Sequence, residues 1–413
     1  MKNKDSAGFN DMERRATYGL AGIYGSRMLG LFLILPVFAL YAEHLASATP
    51  VLIGMAIGIY GLTQAALQIP FGLLSDRIGR KPVIVGGLLL FTLGSIIAAT
   101  ADDIWMIILG RAIQGSGAIA AAVMALLADL TRDGQRTKSM AVVGVTIGFS
   151  FTVALIAGPL FNTWVGVPGL FWITAALAIA GILILLLVVP TPDHSSVHSE
   201  AEPVPGLFGR VLRDTQLLRL DAGIFTLHLV LTALFLALPL VLRDAGLPVE
   251  KHTWLYLPVM LLSMGLMVPF VIMAEKKGKM KQVFTGAIAL LGLALAGFWL
   301  LSASIWGLGL MLLVFFTGFN LLEATLPSLV SKLAPGAIRG TAMGVYSTSQ
   351  FSGAFVGGLL GGWVHNHFGE TAVFLMALGF ILFWLALASG MKVPSRRTAP
   401  AALEDTAHPA GEK

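Results

Sequence analysis

Cut at its charges and turn residues, the chain falls into apolar stretches near 17–42, 50–74, 82–100, 104–130, 138–163, 167–190, 220–242, 254–274, 282–302, 305–331, 340–365 and 371–391. Each is long enough to cross the ~30 Å hydrocarbon core of a bilayer as an α-helix rising about 1.5 Å per residue. The pattern predicts an all-α membrane protein of twelve transmembrane helices.

The pattern also repeats. Leu31-Phe32-Leu33-Ile34-Leu35-Pro36 returns 203 residues later as Leu234-Phe235-Leu236-Ala237-Leu238-Pro239, each in the first long apolar stretch of its half. Asp76-Arg77-Ile78-Gly79-Arg80 answers to Glu275-Lys276-Lys277-Gly278-Lys279 at an offset of 199, and Arg136, Gly158 and Gly166 answer to Arg339, Gly361 and Gly369 at 203. Two six-helix repeats follow, and a parallel duplication in a membrane chain suggests two bundles moving about a shared central site. The expected divisions are a tail over 1–16, a first bundle over 17–190, a linker over 191–218, a second bundle over 219–391 and a tail over 392–413.

Composition agrees: with 56% hydrophobic and only 12% charged residues, this surface needs lipid around it. All but four of the 27 Lys and Arg lie in the tails or in turns on the same side as the tails; the others are Arg27 and Arg111 within spans and Arg243 and Lys251 opposite. By the positive-inside rule both termini are cytoplasmic, so the net charge of +5 needs no nucleic-acid partner. There is no cysteine, hence no disulfide and no thiolate metal site. The apolar run before Ala46-Ser47-Ala48 is too long for a cleaved signal, and it reads as an uncleaved first span. His194 and His198 fall in a polar, proline-rich segment that reads as solvated linker, not a metal site. Nothing in the chain has the makings of an enzyme: there is no nucleotide-binding Gly-Lys loop and no metal-ligand cluster on facing helices.

The turn Gly72-Leu73-Leu74-Ser75-Asp76-Arg77-Ile78-Gly79-Arg80-Lys81-Pro82 lies between the second and third stretches. Gly72 suits a close helix approach and Gly79 a tight turn, while Arg77, Arg80 and Lys81 hold the turn inside. The turn resembles the G-x-L-x-D-R-x-G-R-K motif of the major facilitator superfamily. Arg111-Ala112-Ile113-Gln114-Gly115-Ser116-Gly117-Ala118 resembles the R-x-x-Q-G-x-G-A motif of its proton-coupled members, and Gly158-Pro159 resembles part of a fifth-span antiporter motif, with Ala154 and Phe161-Asn162 departing from it. The resemblance spans roughly 15–392 and is to the drug:proton antiporter branch, most of all to its YajR-type members, which often carry an extra soluble C-terminal domain. It implies that Asp76 sits against the start of the eleventh span and that Arg80 pairs with Asp129, as a latch closing the cytoplasmic side. It also implies a coupling role for Arg111 and a helix hinge at Gly158 and Pro159. The glycines Gly54 and Gly58, Gly144 and Gly148, and Gly353, Gly357 and Gly361 suit ordinary close helix contacts.

Ionisable side chains inside spans are costly and therefore face a cavity or a partner. Arg27, Arg111 and Glu323 are the clear cases, with His228 next. Thr317, Asn320 and Glu323, at i, i+3 and i+6, draw one polar stripe in register with Gln114 of the other repeat. Glu323 is the candidate proton-titrating carboxylate and Arg27 its partner in one conformation; the competing reading is a static carboxylate that binds a cationic substrate. Tyr24, Gln114, His228, Thr317 and Asn320 are candidates for the substrate cavity. His228 also reads as an ordinary satisfied polar residue, and the tyrosines as packing. The expected protein is a monomeric, multi-pass inner-membrane secondary transporter for a small molecule, driven by the proton gradient without a cofactor, exporting amphipathic compounds by alternating access. Two alternatives stay open: proton symport of a sugar or organic acid, and a membrane sensor that no longer transports.

Overall fold

The computed structural model describes residues 8–192 and 205–391. The first seven residues, residues 193–204 of the linker with His194 and His198, and the tail from 392 lie outside the described residues. The first half comprises α1 (Asp11–Leu33), α2 (Leu35–Ala42), α3 (Pro50–Ile78), α4 (Arg80–Ala99), α5 (Ile104–Ser116), α6 (Ala120–Asp129) and α7 (Asp133–Leu187). A short α8 (Phe208–Val211) precedes the second half, made of α9 (Thr215–Asp244), α10 (His252–Lys276), α11 (Met280–Leu300), α12 (Ile305–Leu333), α13 (Arg339–Phe368) and α14 (Glu370–Ser389). We call the end holding the start of α1 basal and the opposite end apical.

The helix starts follow from local chemistry. Asn10 and Glu13 close a reciprocal capping box on α1, while Thr49, Asp103, Asp214 and Ser304 cap α3, α5, α9 and α12. Two rods are interrupted rather than ended: α1 passes into α2 at Ile34, just before Pro36, and α5 stops at Ser116 before α6 resumes at Ala120.

Among the described residues ten helical segments are long and apolar enough to cross a membrane. One of them, α7, runs 55 residues, or about 80 Å, far more than a bilayer's thickness. Its backbone leaves helical geometry at Gly166, whose φ of 66° favours glycine. The expected hinge lies elsewhere on the same helix: α7 continues through Pro159, and Gly158 abuts the Leu33 carbonyl and Pro36, where α1 meets α2.

Within the first half α1 lies along α7, and α4 and α3 pack on α5; in the second, α11 packs on α12 and α14, and α14 on α9. The halves meet chiefly through α13, wedged between α3 and α9. Glycine makes that possible. A Cβ on Gly54 would strike the carbonyl of Gly358, and Cβ atoms on Gly353 and Gly357 would strike the carbonyls of Phe225 and Leu229. Gly144 and Gly148, expected in similar contacts, have nothing near them, because the face of α7 that carries them is exposed.

Gly358→Ala is therefore expected to force α3 and α13 apart, at the roughly 1–3 kcal/mol typical of overpacking. Gly286→Ala, on an exposed helix face with no neighbour within 4 Å, should be neutral or stabilising by up to about 1 kcal/mol. Thermal unfolding of the two purified variants in detergent, followed by tryptophan fluorescence, checks the contrast.

The buried apolar core is shared unequally. One cluster joins the second half to the apical part of the first, including Ile34, Val37, Phe38, Ile53, Phe151 and Leu155. The basal part of the first half has a separate core, from Ala16 and Leu20 to Leu185 and Val189, whose fully buried members all come from that half. Polar cross-half contacts add to the apical closure: Thr253 donates to the Ile156 carbonyl at 3.2 Å, and Arg243 pairs with Glu43. Gln68 reaches across from α3 to the Gly344 carbonyl and Thr348 Oγ1, at 3.2 and 3.0 Å.

Candidate functional site

At the base, Gly79, with φ of 96°, turns the chain sharply between α3 and α4. Arg80 then points inward. Its guanidinium donates to Ser75 Oγ at 2.8 Å and to Asp76, and its Nε lies 3.3 Å from Asp129 Oδ2 at the end of α6. The Arg80 and Asp129 side chains are 2% and 0% exposed. Lys81 donates to the Val189 carbonyl at 2.6 Å, Arg77 is exposed, and a Cβ on Gly72 would sit 3.0 Å from Ala121 of α6.

Asp76 differs from expectation. It pairs with Arg80 inside its own half, and among the described residues no hydrogen bond or ion pair joins it to the start of α13. The shared core explains this: the halves are joined apically, and the basal part of the first half keeps its own core.

The second repeat bridges the corresponding turn and helix end through a different position of the turn. Glu275, which answers to Asp76, pairs at 2.7 Å with Lys332, which stands 203 residues after Asp129. That pair is 45% and 43% exposed.

At mid-depth the first half encloses two arginines. Arg27 is fully buried; its Nη2 donates to Gln64 Oε1 at 2.6 Å and to the Gly117 carbonyl at 2.9 Å. Because α5 has already stopped at Ser116, that carbonyl has no helical partner and accepts from Ile119 N–H at 2.9 Å as well as from Arg27. Arg111 donates to Gln114 Oε1 at 2.9 Å and to the Ala56 carbonyl at 3.3 Å, while Gln114 donates to Ser95 Oγ at 2.7 Å. Both guanidinium groups lie over the Tyr60 ring, 5.7 and 5.1 Å from its centroid.

Arg27, Arg111 and Gln114 thus tie α1, α3, α4 and α5 together from within. The expected pairing of Arg27 with Glu323 is not formed in this structure, because Arg27 is taken up by Gln64 and Gly117. Gln114, expected in the cavity wall, is enclosed. Tyr24, one turn from Arg27, is half-buried.

The polar stripe of the second half divides among three targets. Thr317 bonds back to the Leu313 carbonyl at 2.8 Å, Asn320 donates to Ser263 of α10 at 3.1 Å, and Glu323 Oε1 lies 3.6 Å from His228 Nε2. That His228 nitrogen is 2.8 Å from the Gln350 side-chain amide of α13. The Glu323 side chain is 35% exposed.

One turn apical of Glu323, on the same face of α12, Phe319 stacks on Phe151 of the first half at 5.6 Å. Phe32 and Phe316 complete the group, 4.9 and 6.2 Å from the Phe151 ring. An aromatic seal between the halves therefore lies directly above the carboxylate. Among the described residues no three His, Asp or Glu side chains group as a metal site would require.

Sequence reasoning misses Gln64, Gln350 and the Phe151–Phe319 seal, since uncharged polar and aromatic residues in apolar spans look ordinary one helix at a time. It also misses Asp221, which follows Arg219 at the edge of a span and reads as part of the helix start.

A family model described as the Major Facilitator Superfamily matches residues 20–358. Among curated relatives, the inner membrane transport protein YajR of Escherichia coli (strain K12) is 52% identical over 382 residues, covering 92% of this chain and 84% of that protein. The multidrug resistance protein MdtH of Yersinia enterocolitica is 26% identical over 346 residues, covering 82% and 84%. Among solved structures, a bacterial homologue of the human lysosomal transporter Spinster, in an inward-facing and occupied conformation, matches with a TM-score of 0.75 at 13% identity, over 92% of this chain and 97% of that one. The human organic anion transporter MFSD10 (TETRAN) matches with a TM-score of 0.67 at 20% identity, over 91% and 99%. At these identities the structural likenesses show the fold alone.

Proposed function

The chain belongs to the major facilitator superfamily, and from that premise we propose that it is a proton-coupled antiporter that exports amphipathic compounds by alternating access. It is a multi-pass inner-membrane transporter and not an enzyme. The observation that carries the coupling is Glu323: a carboxylate at mid-depth, partly exposed, immediately basal of the aromatic seal and beside His228. A proton bound there changes the charge at the point where the halves must part, so protonation biases the balance between open states. The distant multidrug relative supports export of drug-like solutes.

In this reading α7 is two spans divided at Gly166, and the glycine-rich α13 is also a span, which makes twelve with both termini cytoplasmic. The bundles are 17–190 and 219–391, joined by the linker 191–218, with tails over 1–16 and 392–413, and the working unit is a monomer. The base is then the cytoplasmic side, and the conformation is closed outside and open inside. The Arg80–Asp129 bridge is a latch whose interdomain part, Asp76 on α13, is undone in this conformation, while Arg111 supports coupling through the packing of α3, α4 and α5.

The test is proton movement in proteoliposomes carrying an imposed pH gradient, challenged with amphipathic cations such as ethidium, with sugars and with organic acids. Dissipation of the gradient by a cation supports antiport. A response to sugars or acids alone turns the reading into symport, and ligand binding with no proton or solute flux makes the protein a sensor.

A further inference from the structure

Asp221 is a buried carboxylate that the proposed cycle does not yet use. It lies in α9, seven residues before His228, so the two share one face of the helix two turns apart. Its residue is 6% exposed, and Oδ2 is enclosed with no hydrogen-bond partner. An ionised carboxylate left so poorly satisfied in an apolar bundle is costly, which makes a bound proton a natural occupant.

The surroundings link it to Glu323. Asp221 shares its face of α9 with His228, whose Nε2 lies 3.6 Å from Glu323 and 2.8 Å from Gln350, and the buried Tyr346 lies one turn basal of Gln350 on α13. Two of the basic groups on neighbouring elements are otherwise directed. Arg219 bonds the Gly390 carbonyl and Lys332 is held by Glu275. Arg339 begins α13, seven residues basal of Tyr346. Among the described residues no ion pair joins a cation to Asp221, so its charge is set by its proton.

We propose that Asp221 is a second proton-binding carboxylate of the transport cycle, standing between Glu323 and the basal solution. This rests on the proton-coupled reading above and gives the proton a route in the second half apart from the solute's. The Asp221 carboxylate takes up the proton that protonated Glu323 gives up when its O–H bond breaks. Asp221 then releases it to basal water, and Glu323 is left as a carboxylate.

The test needs no solute. Infrared difference spectra of the purified full-length protein in lipid nanodiscs, taken through a pH titration, read protonated carboxyl bands directly. Asp221→Asn should delete one band and Glu323→Gln another, and each substitution should displace the midpoint of the remaining band by about one pH unit, as for coupled sites. Asp221→Glu should keep both bands and change the frequency of one, which preserves the test if the asparagine variant folds poorly. The proposal is overturned if Asp221→Asn deletes no band, or if the Glu323 midpoint does not move. A Glu323 band that titrates alone would leave the antiport reading standing without Asp221, whereas absence of both bands would remove the two together.

Discussion

Glu323→Gln is expected to abolish gradient-driven transport, by about a hundredfold, the scale set by loss of an essential proton-transfer group. Glutamine keeps the volume and can still bond toward His228 and Gln350, so the α9–α12–α13 junction and the seal of Phe151 on Phe319 should survive. What disappears is the choice between a charged and a neutral state. Solute-for-solute exchange with equal pH on both sides needs no such choice, and it should persist in the variant. Parallel assays of pH-driven uptake and equal-pH exchange in proteoliposomes separate the two. Equal loss of both would make Glu323 a solute ligand, and full retention of gradient-driven flux would remove it from coupling.

Glu323 is legible in the sequence because a lone carboxylate in an apolar stretch has few bland explanations. Its partner is not. Counting residues along a helix fixes depth, but direction across the bundle depends on which helices adjoin. Arg27 and Glu323 share a similar depth, yet Arg27 turns to Gln64 and Gly117. That choice depends on the stop in α5 at Ser116, where Gly117 presses on the Gly87 carbonyl, a packing event with no local signature. The buried Arg111 is equally visible as a charge, while its bonds to Gln114 and the Ala56 carbonyl need the fold.

Boundaries are legible where a single residue sets them. The gap between 163 and 167 contains Gly166, where the backbone of α7 departs from helical angles. The glycines of α13 announce close contact, but the same spacing at Gly144 and Gly148 meets nothing. Small residues permit an approach, and a partner must still arrive.

The second large effect concerns Arg80 and Asp129. Both side chains are almost wholly buried, so removing either one breaks a buried ion pair, at up to roughly 3–5 kcal/mol of stability, and less for Asp129, whose loss leaves Arg80 its bond to Asp76. Arg80→Ala should lower the thermal midpoint strongly and Asp129→Ala by less. Glu275→Ala, which breaks the exposed bridge of the second repeat, should cost about 0–1 kcal/mol. Removing both buried charges together, as Arg80→Met with Asp129→Leu, should recover much of the stability, because no charge remains in the buried pair and Asp76 is exposed enough to be solvated. It should not recover transport. Arg80 also donates to Ser75 and holds Asp76, the group that would meet α13 when the base closes, so the double variant leaves Asp76 without its cation. A charge swap at 80 and 129 fails for the same reason, since an acid at 80 would repel Asp76. Thermal midpoints and pH-driven flux measured on the same purified variants therefore split. If stability and flux return together in the double variant, the bridge is packing alone; if stability returns without flux, Arg80 acts through Asp76.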